Sequence, residues 1–419
     1  MTERKFLIPR FGPFAGIRVI GAGSLIAMPF AASMLAEFGA EVIQIERPSV
    51  GDTYRKFAPL AQNEKGQEAG AAWIQEARNR LSMTLELNLN DDDAREIFYD
   101  LIKQSDVFME SLVWTEKLGI RDEKLLEINP KLVIAHVSGF GRQEFGGIPE
   151  ICDQASYDMI GQAFSGYAML NGDCDQPPML TKPALNDYTT SLFALFGVLA
   201  AYINAQNTGR GQVVDISQFE SQAKIMRAAF IVHSLGLGAI PRSGNKSMSS
   251  QPWDVLLSKD GKYMCIGAVG KSVFTRFVEA IGEDIERYPY EKVGTTKAAI
   301  ESKMGREFFD VINEWFAQHN ADEIEQIMRR FKVPCSRVNT PEDCLENAHY
   351  AARNDFVTYT DQTLGKAVKA FGVFPKFSNT PGMIWRGAPT LGQDTDAILS
   401  RLLDYDQQKI HCLHEKGII

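Results

Sequence analysis

The 419-residue chain has little of what marks several large protein classes. Its six cysteines (Cys152, Cys174, Cys265, Cys335, Cys344, Cys412) show no CxxC spacing, which suggests neither a disulfide framework nor a zinc site. Its six histidines form no HExxH motif and no i,i+4 pair, so no metal site is expected. Cationic residues are the minority: 44 Lys and Arg against 53 Asp and Glu give a net charge of −9. That argues against general nucleic-acid binding and leaves an anionic ligand only a local basic cluster. The opening MTERKFLIPRFG has no apolar stretch resembling a signal peptide, and no run of about eighteen apolar residues follows. A cytoplasmic enzyme-sized protein is expected, with neither membrane nor nucleic acid as partner.

What is present is ordinary in bulk, 45% hydrophobic and 23% charged, as a soluble protein with a large core requires. The length exceeds one typical domain, so two are expected. Ile17–Gly21 is a short apolar run, followed by GAGS and a helical pattern that ends at Gly39. EVIQIE at 41–46 alternates like a strand, completing a βαβ unit with parallel strands. Further strands are read at 81–87, 107–110 and 132–136, with an amphipathic helix over 91–104 whose first turn carries three aspartates. This alternation means an α/β open sheet. Gly, Ser, Asn and Pro gather around 236–252 as a linker. A hairpin turning at Asp260-Gly261 follows, then helices over 272–281, 304–320 and 321–331, as in a smaller α+β unit.

The most suggestive stretch is MLTKPALNDYTTSLFA, 179–194. Asp187 lies between Pro183-Ala184-Leu185 and the hydroxyls of Thr189, Thr190 and Ser191, ahead of a long apolar helical run. Two readings stand. Asp187 caps the helix, where free N–H groups and the dipole favour a carboxylate. Alternatively, a carboxylate walled by apolar groups at a helix start is a covalent nucleophile. GAGSLI starts like a dinucleotide fingerprint, but Ile26 stands where the third glycine belongs, which disfavours NAD. Arg47, ending the second strand, suits a phosphate by its guanidinium fork or is a solvated strand-end arginine. Arg78, Arg80 and Lys117 could join it in a positive patch for a phosphorylated cofactor. The histidines read as structural or surface residues, and Asp158 reads as the cap of the helix it starts.

Taken together, certain motifs carry a likeness. They are GAEVIQIERP (39–48), LSMTLELN (81–88), VFMES…KLGI (107–120) and NPKLVIAHVSGFG (129–141). YDMIGQAFSGYAMLNGD (157–173), NDY (186–188), TGRGQVVDIS (208–217) and IWRGAPTLGQDT (384–395) complete the set. The chain resembles the class III CoA-transferase family, within it the L-carnitine and bile-acid CoA-transferase branch. The resemblance implies a Rossmann-like large domain built from both ends of the chain, with a smaller α+β domain inserted, and two subunits interlocked as a homodimer. On this chain that means residues 1–222 and 333–419 in the large domain, a linker over 223–249 and the small domain over 250–332.

The resemblance makes Asp187 the nucleophile and Arg47 the partner of a CoA phosphate. It places Ala27, Leu85, Asn88, Ser111 and Lys117 along CoA, which is a substrate; no tightly bound cofactor is implied. Two positions depart from the pattern: Ala27-Met28-Pro29 replaces the usual AGP, and Leu112-Val113-Trp114 stand where the carnitine branch carries a lysine. The activity implied is transfer of CoA from an acyl-CoA to a free acid through aspartyl anhydride and aspartyl-CoA thioester. QAFSGYAMLNGDCDQP looks like the carnitine branch, while RSGNK (242–246) and EDCLENAHYAAR (342–353) look like the bile-acid branch. The rival is an α-methylacyl-CoA racemase, in which a histidine precedes the aspartate that is Asp158 here. Tyr157 takes that place, removing a group that titrates near neutrality. A nucleotide-dependent dehydrogenase is a more distant alternative.

Overall fold

The computed structural model describes residues 4–112 and 114–419; residues 1–3 and Val113, in the segment that replaces the carnitine-branch lysine, lie outside the described residues. The chain divides into two compact units. One comprises residues 1–167, 180–230 and 351–419; the other comprises 168–179 and 231–350.

The strands of the chain are β1 (Arg18–Ala22), β2 (Glu41–Glu46), β3 (Leu60–Gln62), β4 (Glu68–Gly70), β5 (Leu81–Thr84), β6 (Val107–Glu110) and β7 (Val133–Ser138). They continue with β8 (Gln212–Ser217), β9 (Trp253–Leu257), β10 (Tyr263–Gly267), β11 (Cys335–Arg337), β12 (Phe356–Thr360) and β13 (Ala367–Phe371). Six of them make the sheet of the first unit, in the order β5-β2-β1-β6-β7-β8 with every pairing parallel. Strand order therefore reverses between β1 and β6, and the carboxyl ends of strands at such a reversal are where open α/β sheets bind ligands.

Both faces of the sheet are covered, which is why β1, β2, β5 and β6 are buried throughout, their polar residues such as Glu41, Gln44 and Glu46 included. On one face Ile20, Ile43 and Phe108 pack against helix α2 (Asp92–Lys103) and the C-terminal segment through Ile398, Leu402 and Ile410. Asp91 caps α2, its carboxylate accepting from the N–H groups of Asp93 and Ala94. On the other face Val19, Val42 and Met109 meet helix α1 (Ala27–Glu37) and a 24-residue helix, which with α3 (Asp122–Ile128) and α4 (Asp158–Phe164) before it is α5 (Leu185–Thr208). By length and composition α5 could cross a membrane. Ala194, Val198, Ala201 and Ala205 recur at helical spacing and bury one stripe of it against the sheet and α1. Its opposite face leaves Leu192, Phe196 and Ile203 open, Phe196 with 72% of its surface exposed. A short helix, α6 (Gln218–Lys224), leaves the sheet directly after β8.

Past residue 351 the chain forms the β12–β13 hairpin and docks at the β5 edge. There the Asp394 carboxylate accepts from the Ser82 N–H at 2.8 Å and the Thr395 hydroxyl from the Thr84 N–H at 2.9 Å.

The second unit is a three-stranded antiparallel sheet, β11-β10-β9, turning at Asp260-Gly261. Helices α7 (Lys271–Ala280), α8 (Lys303–Gln318) and α9 (Ala321–Arg330) close its core through Phe274, Phe277, Phe308, Phe316 and Ile324. Residues 335–337, expected in the segment returning to the large domain, instead pair with β10 in this unit. Residues 168–179, expected in the large domain, also belong here: the Arg242 guanidinium donates to the carbonyls of Asp173 and Gln176, at 3.1 and 2.6 Å.

Candidate active site

The crevice at the reversal of strand order has a volume of about 590 Å³. Its walls include the turn Ser24–Ala27 after β1, Ser111, Leu112 and Trp114–Lys117 after β6 and residues of the 138–144 loop after β7, together with Cys152–Tyr157, Asp187 and Gln218. Gly23 lets the first two loops approach, since a Cβ there would sit 2.2 Å from the Ser111 hydroxyl. The small-residue turn thus serves loop packing, in a place where a dinucleotide site would use it for pyrophosphate.

Helix α5 delivers Asp187 to this crevice. Its N-cap position is Ala184, in the left-handed region with φ 28° and a side chain that offers no acceptor. The cap comes from another helix: Asp158 of α4 accepts through Oδ1 from the N–H groups of Asn186 and Asp187, at 2.7 and 3.3 Å. Its Oδ2 accepts from Gln162 Nε2 at 2.7 Å, and Gln162 in turn accepts from the Thr181 N–H at 2.9 Å. Asp158 was expected to cap its own helix; it caps α5. Gly161 allows the two helices to close, because a Cβ at that position would lie 1.9 Å from Asn186 Oδ1.

With its backbone N–H already served, Asp187 is not a helix cap. Its Oδ1 accepts from the side-chain amide of Gln218 at 2.5 Å. Gln218 is the first residue of α6, and its own carbonyl accepts from Asn186 Nδ2 at 2.7 Å. The neighbouring hydroxyls look inward to the helix: Thr189 and Thr190 donate to the carbonyls of Leu185 and Asn186, and Ser191 to those of Asp187 and Ala27. Asp187 has only 8% of its surface exposed. Burial, reinforced by the Asp158 carboxylate and opposed by the Gln218 hydrogen bond, pushes its pKa up to about 7.

A second polar cluster backs the wall. His136 is fully buried between Glu110 and Asp122, its Nε2 lying 2.8 Å from Asp122 Oδ2. Burial works against its positive charge, but hydrogen bonds to the two carboxylates win and raise it to about 9. Arg142 completes the cluster, donating to Glu110 Oε1 at 3.3 Å and to the Thr115 hydroxyl at 3.0 Å. His136 therefore stays a charged structural tie between β6, β7 and α3.

Of the residues expected along CoA, Ala27, Ser111 and Lys117 line the crevice with Asp187, whereas Arg47, Leu85 and Asn88 are not among its lining residues. Those three follow the carboxyl ends of β2 and β5. Arg47 is exposed and pairs with Glu86 at 3.2 Å. The Leu85 side chain is buried in the core, while its N–H extends the pairing to Glu46. The Asn88 side chain accepts from Asn90 Nδ2 at 2.9 Å, which also donates to the Lys117 carbonyl at 3.1 Å, tying this corner to the Lys117 loop. Lys117 Nζ stands 4.8 Å over the Trp114 ring.

Arg78 and Arg80 do not join a positive patch. Arg78 is buried against Glu37 and the carbonyls of Phe371 and Gly372, and Arg80 is buried over the Trp73 ring. Neither arginine is among the residues lining the crevice. The sequence reading missed Gln218 and the capping role of Asp158. For Gln218 the available signal was its position, a polar side chain immediately following a strand that ends in Ser217.

The chain belongs to CoA-transferase family III, whose family model matches residues 14–395. It is a class III CoA-transferase. It is 36% identical over 414 residues to the bile acid CoA-transferase BaiK of Clostridium scindens, covering 98% of this chain and 90% of that protein. In fold it is similar to a CAIB/BAIF family protein from Brucella suis, at a TM-score of 0.79 and 23% identity, covering 94% of this chain and all of that one. It is likewise similar to Rv3272 from M. tuberculosis, at a TM-score of 0.77 and 19% identity over 93% of this chain and 99% of the other.

Proposed function

We propose that this protein moves CoA from a bile-acyl-CoA to a second free bile acid, with Asp187 carrying first the acyl group and then CoA. One observation carries the reading: a carboxylate lining the crevice, 8% exposed, held by a side-chain amide and free of any backbone cap. A buried carboxylate is a stronger nucleophile than a solvated one, and it conserves the thioester's energy only where water is kept away. Asp187 attacks the donor carbonyl, forming a mixed anhydride and releasing the CoA thiolate. The thiolate attacks the aspartyl Cγ, expelling the first acid and leaving an aspartyl–CoA thioester. The acceptor carboxylate then attacks that thioester to give a new anhydride, and the thiolate returns to its acyl carbonyl.

Arg47 and Lys117 supply positive charge for CoA phosphates at the carboxyl ends of β2 and β6, and Ala27, Ser111 and Asn88 stand along the same edge. The likeness to BaiK supports bile acids over carnitine. The open apolar stripe of α5, Leu192, Phe196 and Ile203, supports a homodimer that covers it. The racemase alternative needs a second base, and among the described residues lining the crevice there is no histidine. Mass spectrometry of product thioesters from a panel of bile-acyl-CoA and carnitinyl-CoA donors with matching acids tests the assignment. Exchange confined to bile acids, lost in Asp187→Ala, is expected; full exchange by that variant refutes the nucleophile.

A further inference from the structure

We infer that Gln218 is a catalytic residue, the hydrogen-bond donor that selects which oxygen of Asp187 attacks and then stabilises the oxyanion formed at its carbonyl. The inference rests on Asp187 being the nucleophile. Gln218 Nε2 donates to Asp187 Oδ1 at 2.5 Å, and both side chains reach the crevice. Oδ1 is therefore engaged, and Oδ2 is the oxygen left to attack the donor thioester. When it does, the Oδ2–acyl bond forms, the C–S bond breaks and the electron pair leaves on the CoA thiolate. Asp187 is now an acyl group whose carbonyl oxygen is Oδ1, the atom that already faces the amide.

The next step, attack of the thiolate on Cγ, drives the electron pair of the Cγ=Oδ1 bond onto Oδ1. Collapse of that adduct expels the first acid together with Oδ2 and leaves the thioester with Oδ1 retained. The acceptor acid reverses these events, its own oxygen becoming the new Oδ2. Negative charge thus develops on Oδ1 in both directions, beside a donor that is in place before the reaction starts. A pre-positioned donor at a largely buried carboxylate is the arrangement that stabilises such adducts. The amide is itself fixed: its residue opens α6, and its backbone carbonyl is bonded to Asn186, next to the nucleophile. Asp158 holds the other side, on the backbone N–H of Asp187, so the carboxylate is oriented from two directions by residues that do not react.

The test compares the full-length protein with Gln218→Met, which keeps the volume and loses the donor, and Gln218→Glu, which keeps length and polarity but presents no N–H when ionised. Both leave the backbone bond to Asn186 intact. Cholyl-CoA and deoxycholate serve as probes, and rates are divided by the number of Asp187 sites that hydroxylamine labels in the presence of cholyl-CoA. Both variants are expected to lose about 10²–10³-fold in kcat per labelled site, with KM for cholyl-CoA unchanged within about threefold. A kcat within about threefold of wild type in Gln218→Met, or a loss appearing only in KM, overturns the role of Gln218 and leaves the nucleophile standing. Absence of an Asp187 hydroxamate in the wild-type protein overturns both.

Discussion

Replacing Asp187 by asparagine is expected to stabilise the protein at neutral and alkaline pH while destroying its activity. A carboxyl with a pKa of about 7 in the folded chain, against an ordinary value of about 3.9 unfolded, holds a proton more tightly in the folded state. Between those two values the folded protein binds more protons, so stability falls as pH rises through the window and the whole loss is present above pH ~7. Roughly three pH units at about 1.4 kcal/mol each give an upper figure of about 4 kcal/mol. The amide of the Asp187→Asn variant does not titrate, and its carbonyl oxygen still accepts from Gln218. The difference between variant and wild type should therefore be small near pH 4 and grow to a few kcal/mol by pH 8. For a unit of this size that corresponds to a rise in melting temperature of roughly 5–10 °C. Thermal scans of both proteins from pH 4.5 to 8.5 measure it. An infrared difference titration of wild type minus Asp187→Asn should show a protonated carboxyl band fading around pH 7. Equal melting temperatures at pH 8, or a difference that ignores pH, would refute the reasoning, because a buried carboxylate beside Asp158 must cost stability when ionised.

Three further outcomes follow from other contacts. Asp158→Asn removes the charge facing Asp187, whose other close partner is the neutral Gln218, so the acid limb of the kcat/KM profile should move down by about one pH unit. The same change sets an amide NH2 against Gln162 Nε2, and chemical denaturation should register a loss of about 1–2 kcal/mol. Arg47→Ala should raise KM for acyl-CoA about tenfold or more, the worth of a charge-assisted contact to phosphate, without changing kcat or melting temperature. The exposed pair with Glu86 contributes almost nothing to the fold. His136, raised to about 9 from an unfolded value of about 6.5, contributes stability that is complete below pH ~6.5 and is lost as pH rises through ~9, up to about 3 kcal/mol. His136→Gln should flatten the melting-temperature profile between pH 6.5 and 9.5, a window that lies mostly above that of Asp187.

Much of the architecture could be read before any coordinates. Short runs rich in Val, Ile, Met and Phe mark the strands, and the helices between them declare themselves by spacing and by caps such as Asp91. Periodicity and turn chemistry are local, so the sheet of the larger unit, the Asp260-Gly261 hairpin and the helix carrying Asp187 were all legible. Of the positions that the family resemblance implied along CoA, Ala27, Ser111 and Lys117 line the crevice, while Arg47, Leu85 and Asn88, which also follow strand ends, do not. Boundaries between units were less legible. The three residues of β11 look like any short strand, and only their register with β10 assigns them.

The sequence alone determined the α/β order, the placing of an acid at the head of an apolar helix, and membership of the family. Tertiary structure decided what surrounds that acid. Asp158 reaches across 29 positions to cap the helix in its stead, and Gln218 comes from 31 positions downstream to hold its side chain. It also turned Arg78 and Arg80 from free cations into buried struts. The reason is common to all of these: burial and pairing depend on which neighbours arrive from distant parts of the chain, and short-range pattern does not encode them.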